Sequence, residues 1–123
     1  MSGNNIVVDT NLLIYVLGGN KHVAGFLEKK ELFISVITEM ELLGLYDVSP
    51  AGIKAIKNII HDCFLVELNS EIRNLAVSLK QKNKIKLPDA IIAATAMHLN
   101  FTLFTADKKF SKIKNLNCII LEI

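Results

Sequence analysis

Four acidic residues far apart in a chain of 123 residues, Asp9, Glu41, Asp89 and Asp107, are the side chains with the clearest capacity for chemistry. Asp9 follows the apolar run Ile6-Val7-Val8 directly, and Asp107 comes two residues after Thr102-Leu103-Phe104-Thr105. Asp89 follows Pro88, and Glu41 lies inside the helical stretch after Leu32–Val36. Were they to converge, two carboxylates ~7 Å apart at an effective dielectric of about 20 would repel by roughly 2 kcal/mol, and four groups make six such pairs. The cluster then needs a cation or shared protons. An all-oxygen set without nearby Cys or His suits a hard ion, Mg²⁺ or Mn²⁺, rather than zinc. One or two such ions activate water and neutralise charge growing on a phosphodiester, so metal-dependent phosphodiester hydrolysis is the chemistry these residues point to.

Each acid also has a plain structural duty available. Asp9 before Thr10-Asn11 and Asp107 before Lys108-Lys109 could cap helices. Asp89 in a first turn is favoured by the helix dipole, and Glu41 could complete a capping box with Thr38. Glu39 competes with Glu41, but two residues apart on a helix means opposite faces, and spacing alone leaves the choice open. His98 lies nine residues after Asp89, on the far side of a helix and about 13 Å along its axis. We read His22, His61 and His98 as surface or packing residues. Cys63 and Cys118 form neither a CxxC pair nor a disulfide framework, and their apolar neighbours mark them as buried thiols.

The elements that would position these groups alternate along the chain. Strands are expected at Ile6–Val8, Leu32–Val36, Phe64–Leu68, Thr102–Thr105 and Cys118–Leu121, each a short apolar or branched run. Between them, helices are expected over 11–17, stopped by Gly18-Gly19, over 21–30, and over 38–46. Ser49-Pro50 starts another, reaching about Asp62, with Ile53, Ile56, Ile59 and Ile60 at helical spacing. Ser70 caps one reaching about Asn83, and Pro88 opens the last, Asp89–Leu99, whose Ala90, Ala93, Ala94 and Ala96 permit close approach to a sheet. This pattern is that of an α/β sandwich on a mainly parallel sheet. Functional groups of such folds collect outside the carboxyl edge, where all four acids can be placed. Periodicity neither orders the strands nor accounts for how the helix over 70–83 returns the chain to that edge.

The composition, 51% apolar, 21% charged and 7% aromatic, is that of one folded domain over residues 1–123 and excludes disorder, collagen and coiled coil. No apolar run approaches the roughly 18 residues of a membrane span, and Met1–Asn5 lacks a leader-like basic and apolar pattern, so a cytoplasmic protein without a membrane partner is expected. The net charge of +2 hides an asymmetry: residues 1–72 carry five Lys and nine acids, residues 73–123 eight Lys, one Arg and three acids. Lysines cluster at 80, 82, 84 and 86 and again at 108, 109, 112 and 114, a footprint for a polyanion or simply solvated faces. Arg73 is the only arginine, which argues against reading bases by bidentate contacts.

Taken together, these segments resemble the PIN-domain nucleases, in particular the small VapC-like toxins of bacterial and archaeal toxin-antitoxin pairs. The resemblance rests on Ile6-Val7-Val8-Asp9-Thr10-Asn11-Leu12-Leu13, on Ile34–Gly44 with Thr38, Glu39 and Glu41, on Leu87-Pro88-Asp89-Ala90-Ile91-Ile92-Ala93-Ala94-Thr95-Ala96, and on Leu103-Phe104-Thr105-Ala106-Asp107 with Phe110. It implies a three-layer sandwich with a five-stranded parallel sheet in the order 3-2-1-4-5 and an Mg²⁺ or Mn²⁺ site of one or two ions. Asp9, Glu41, Asp89 and Asp107 are then the catalytic and metal-holding residues, Glu41 being favoured over Glu39. Asn11 and Thr105 become positioning residues, and Lys84, Lys86, Lys108 and Lys109 contacts to an RNA backbone. The activity implied is endonucleolytic RNA hydrolysis, by a homodimer restrained by a cognate antitoxin. Two positions depart from the pattern: Ala106 stands where many relatives have Arg, and Lys108-Lys109 where many have a further acid, which weakens the case for a second ion. A receiver-like or phosphatase reading fails, because Glu67-Leu68-Asn69 and Asn11 stand where those chemistries need Asp. An RNA-binding or protein-interaction module without turnover, and a housekeeping RNA-processing nuclease, are the alternatives.

Overall fold

Ile6 and Val8 pack into one hydrophobic cluster and Val7 into another, because successive side chains of a strand point to opposite faces. All three are buried, which requires a sheet covered on both sides. The computed structural model describes residues 4–123; the leader-free reading of Met1–Asn5 rests in part on Met1, Ser2 and Gly3, which lie outside them. Strands β1 (Asn5–Val8), β2 (Glu31–Ser35), β3 (Phe64–Val66), β4 (Thr102–Thr105) and β5 (Cys118–Ile120) form one sheet ordered β3-β2-β1-β4-β5. Every pairing is parallel, with Val7 opposite Phe33 on one side and Leu103 on the other. The α/β class and the strand order are those the sequence reading expects.

Helices fill the two outer layers. On the Ile6/Val8 face lie α1 (Thr10–Leu17), α2 (Lys21–Leu27), α3 (Val36–Leu43) and α4 (Pro50–His61), which bury Leu12, Leu13, Val23, Leu42 and Ile56. On the Val7 face lie α5 (Ser70–Lys82) and α6 (Leu87–Leu99). Asn69, at the start of α5, lies 3.4 Å from His98 in the last turn of α6. At the other end the Lys80 ammonium donates to the Ile85 carbonyl at 3.0 Å. The two helices are therefore antiparallel, and α5 carries the chain back so that α6 can begin at the carboxyl edge. That is the step periodicity does not supply.

Several boundaries differ from expectation, each for a local reason. Helix α3 starts at Val36, because the Ser35 hydroxyl accepts from the Ile37 amide at 3.0 Å and ends the strand there. Thr38 is thus interior to the helix and no capping box forms. Helix α2 stops at Leu27, before Lys29 with φ 65°. Asn69, not Ser70, caps α5 by accepting from Ile72 N–H at 2.8 Å. Strand β3 ends at Val66, short of Leu68. Cys63 and Cys118 are half-buried rather than buried. As expected, Ser49 caps α4, and Gly19 turns the chain after α1 at φ 88°, a conformation glycine adopts without strain. Among the described residues no helix is long and apolar enough to cross a membrane.

In α6, Ala90, Ala93, Ala94 and Ala96 are all 0% exposed, held between α5 and the sheet. Ala93→Leu adds volume where the layers leave none, and should lower unfolding free energy by about 1–3 kcal/mol. A urea titration checks this: the midpoint falls while the slope stays constant.

Candidate active site

Asp9 is held in place by the sheet. Its amide donates to the Phe104 carbonyl at 2.9 Å, extending the β1–β4 ladder one residue beyond the last pair, and its side chain is only 4% exposed. The carboxylate accepts from the Thr105 hydroxyl at 2.7 Å, and Thr105, itself 0% exposed, accepts from the Asp107 amide at 3.0 Å. One buried hydroxyl therefore ties the ends of two adjacent strands together. Burial is the main cause that pushes the Asp9 carboxyl up to about 6. The Thr105 bond opposes the shift, the Asp89 charge adds to it, the Thr10 amide opposes it, and the Glu41 charge adds to it again.

Glu41 lies six residues into α3 and reaches the same place through a second hydroxyl. Thr10 Oγ1 stands 2.6 Å from Glu41 Oε1 and 2.9 Å from Thr38 Oγ1. A hydroxyl has one proton, and the carboxylate, which can only accept, takes it; Thr38 then supplies the proton of the other bond. Thr38 and Glu41 are three apart on one helical face, so their spacing is real but serves Thr10 rather than a helix terminus. Neither Thr10 nor Thr38 was marked by residue type as part of a site; the only signal was Thr10 next to Asp9 and Thr38 one turn before Glu41.

Asp89, in the first turn of α6, is half-buried. Burial raises its pKa most, followed by the charges of Asp107 and Glu41, while Lys109 and Lys86 pull it down. Asp107 accepts from the Lys109 amide at 2.9 Å and caps the short 3-10 turn Lys108–Lys112. Its structural duty is thus real, and it acts on Asp89 as well.

A cavity of about 310 Å³ is lined by Asp9, Thr10, Asn11, Ile14, Glu41, Leu45 and Asp89. Three of the four acids line it; Asp107 does not, and reaches the site only through its charge, which acts on Asp89, and Glu39 does not line it either. Asn11 is an exposed residue of the cavity wall. Asp89 also lines a neighbouring cleft of about 490 Å³, with Lys80, Asn83, Lys84, Ile85, Lys86 and Lys109. Of the lysines singled out from sequence, Lys84, Lys86 and Lys109 are brought there, and Lys108 is exposed outside it.

The donor set, oxygen only and carrying charges that oppose one another, fits a hard divalent cation in its chemistry. As the side chains stand, no group of three His, Cys, Asp or Glu among the described residues is spaced to hold an ion. Ligation therefore needs rotamer changes, open to exposed Glu41 and half-buried Asp89 and least open to Asp9.

The family model described as PIN domain matches residues 6–116. Among solved structures, the chain is similar to one in a toxin-antitoxin complex from Klebsiella pneumoniae, with TM-score 0.83 and 30% identity over 96% of this chain and 99% of that one. It is similar to a chain of VapBC-1 from nontypeable Haemophilus influenzae, with TM-score 0.76 and 26% identity over 94% and 97%. A chain of VapBC2 from Rickettsia felis, bound to a DNA fragment from their promoter, has TM-score 0.82 over 96% and 99%, and at 22% identity shares the fold. No curated protein sequence matches.

The raised Asp9 carboxyl makes a prediction for the protein in EDTA. With a folded value of about 6 against 3.8 unfolded, the folded state binds more protons in that window, so the stability is full below about pH 4 and is lost as pH rises through 6. The loss reaches about 3 kcal/mol. Thermal melts from pH 4 to 7.5 should show a falling midpoint that Asp9→Asn flattens, and that Mg²⁺ restores mainly above pH 6.

Proposed function

The chain belongs to the PIN domain family, and from that premise we propose that it is the nuclease toxin of a toxin-antitoxin pair, an endoribonuclease that hydrolyses RNA phosphodiester bonds with Mg²⁺ or Mn²⁺. One observation carries this reading: Asp9, Glu41 and Asp89 line a single cavity, Asp107 is coupled to Asp89, and a cleft rich in lysine meets them at Asp89. Asp9, Glu41, Asp89 and Asp107 would hold one or two divalent cations, which supply charge neutralisation and acidify water for in-line attack on phosphorus. Asp9 is the fixed member, oriented by Thr105. Thr10 orients Glu41 by donating to Oε1, which leaves the carboxylate its charge for the ion and its lone pairs for the attacking water. Asn11, on the wall beside Asp9, offers an amide to the water or to the phosphate. Lys84, Lys86 and Lys109 hold the RNA backbone, and Lys108 adds long-range attraction only.

Partners follow from exposed apolar surface. A groove of about 450 Å³ between α1, α2 and α4, lined by Leu13, Val16, Ala24, Leu27, Leu32 and Ile59 together with the charged Lys21, Glu28 and Asp62, offers an antitoxin an apolar seat beside charged groups. Met40, Leu43 and Tyr46 are exposed around the end of α3, Tyr46 at 95%, and support self-association as a homodimer. The Klebsiella, Haemophilus and Rickettsia neighbours favour a toxin over a housekeeping nuclease. A second reading, an RNA-binding module without turnover, draws on Ala106, a residue packed on the Ile6/Val8 core where many relatives place Arg.

Purified protein free of partners, incubated with a panel of labelled RNAs and Mg²⁺, Mn²⁺ or EDTA, should cleave only with a divalent cation. Asp89→Asn and Asp9→Asn should each lower the rate on the order of 10²-fold or more while melting as folded proteins. Undiminished cleavage by either variant would sink the assignment, and RNA binding without cleavage in any cation would select the module.

A further inference from the structure

The cavity at the acids has an apolar side. Asn11 and Ile14 are three residues apart on α1 and share one face of it. Leu45 follows the end of α3, four residues after Glu41, and its amide donates to the Leu42 carbonyl at 3.4 Å. Both walls therefore run in the same order, an amide or carboxylate first and an aliphatic side chain about one turn on. Ile14 and Leu45 are exposed, and neither belongs to the cluster that Leu12, Leu13 and Leu42 form in this layer. Met40, Leu43 and Tyr46, also exposed around the end of α3, do not line the cavity. The lysine cleft shares only Asp89 with it, and among the described residues no lysine or arginine lines it.

Resting on the nuclease reading, we infer that Ile14 and Leu45 are specificity-determining residues, which hold the base of the one nucleotide that adjoins the cleaved bond on the side away from the lysines. A phosphate is disfavoured on this wall, where Asp9, Glu41 and Asp89 supply charge of its own sign and no ammonium group offsets it. A ribose, hydroxylated around its ring, gives up hydrogen bonds to water against two aliphatic side chains. The flat face of a base gains by leaving water there. Because the aliphatic pair and three acids line one cavity, the base so held belongs to the nucleotide next to the cut and to no other. The two sides of the cut are then gripped by different forces, ionic toward the lysines and apolar toward Ile14 and Leu45.

An RNA that the protein cleaves with Mg²⁺ tests this, remade as a series in which each nucleotide in turn lacks its base. Removing the base on one side of the cut should lower kcat/KM roughly 10-fold, and Ile14→Ala and Leu45→Ala should each lower it several-fold on the intact RNA. On the RNA without that base the two variants should cost little more, because the contact is already gone, whereas at every other position the losses should add. The variants' losses should stay the same between about 50 and 200 mM salt, since an apolar contact releases no counterions. Ile14→Val and Leu45→Met, which keep the wall apolar, should retain most of the rate, and Val77→Ala, exposed on α5 in the opposite layer, should leave it unchanged. Losses that add at every position, or a coupled base that is not next to the cut, overturn the inference. Cleavage without any coupled base removes the subsite and leaves the nuclease standing. For a protein that cleaves no RNA in any cation, the same series is read as binding in EDTA by fluorescence anisotropy. A coupled base there keeps the subsite and overturns the nuclease, and additive losses overturn both.

Discussion

The buried carboxylate of Asp9 governs the arrangement of the carboxyl edge. Placing an ionised carboxylate in a low-dielectric interior without compensation is expensive, and a protein can answer with a proton, a hydrogen bond or an opposing charge. Here the backbone leaves no escape, because the Asp9 amide is still part of the β1–β4 ladder. Thr105 and the Thr10 amide supply hydrogen bonds, and a proton is retained to about pH 6. The neighbouring charges that act on Asp9, those of Asp89 and Glu41, are of its own sign, while the ammonium groups of Lys109 and Lys86 act on Asp89 instead. Compensation is thus incomplete where the carboxylate is deepest and available one residue further out.

Hydroxyl groups make that possible. Thr10, Thr38 and Thr105 are 5%, 0% and 0% exposed, and each meets a carboxylate or another hydroxyl of this set. A neutral donor orients a carboxylate without cancelling its charge. A lysine or arginine in the same places would form a permanent buried pair, which removes the negative field a cation needs and is costly to disturb. The hydroxyls also join elements distant in sequence: Thr105 links β4 to the end of β1, and Thr10 links α1 to α3. The same bonds that position the acids tie neighbouring elements of the sheet and of one helical layer to each other, so a substitution there reaches stability and, on the proposed reading, metal affinity at once.

How much of this could be read from the residues follows from how local each cause is. The α/β class was legible because two-sided burial leaves continuous apolar runs such as Ile6-Val7-Val8, and because Ser49-Pro50 and Pro88 punctuate helices by chain geometry alone. Strand order was not, since a parallel pairing is decided by crossovers that periodicity does not describe; it came from the resemblance. The start of α3 was misjudged because Val36 and Ile37 are branched residues of strand type, and one serine hydroxyl overrode their preference. At the site, acids are conspicuous in sequence while the hydroxyls that orient them are not. Threonine is at home in strands, turns and helices alike, and only Thr10 and Thr38, 28 residues apart, touching in space reveals their joint role. The choice of Glu41 over Glu39 came from the resemblance, since helical geometry says only that the two face opposite ways; in the structure it is Glu41 that meets Thr10 and lines the cavity.

The uneven charge of the two halves acquires a meaning once the chain is folded. Asp9 and Glu41 come from the acidic half, and the lysines of the cleft from the basic half, which also contributes Asp89 and Asp107. The fold brings the halves together at one edge, with Asp89 the residue common to both cavities. A cluster of acids by itself would repel a polyanion, and at about 0.1 M salt charges more than ~10 Å away help little. Lys86 and Lys109 act on Asp89 at short range, where salt screens least. On the proposed reading, a polyanion is therefore favoured from the lysine side over the side of Glu41, and charge biases the approach of such a substrate.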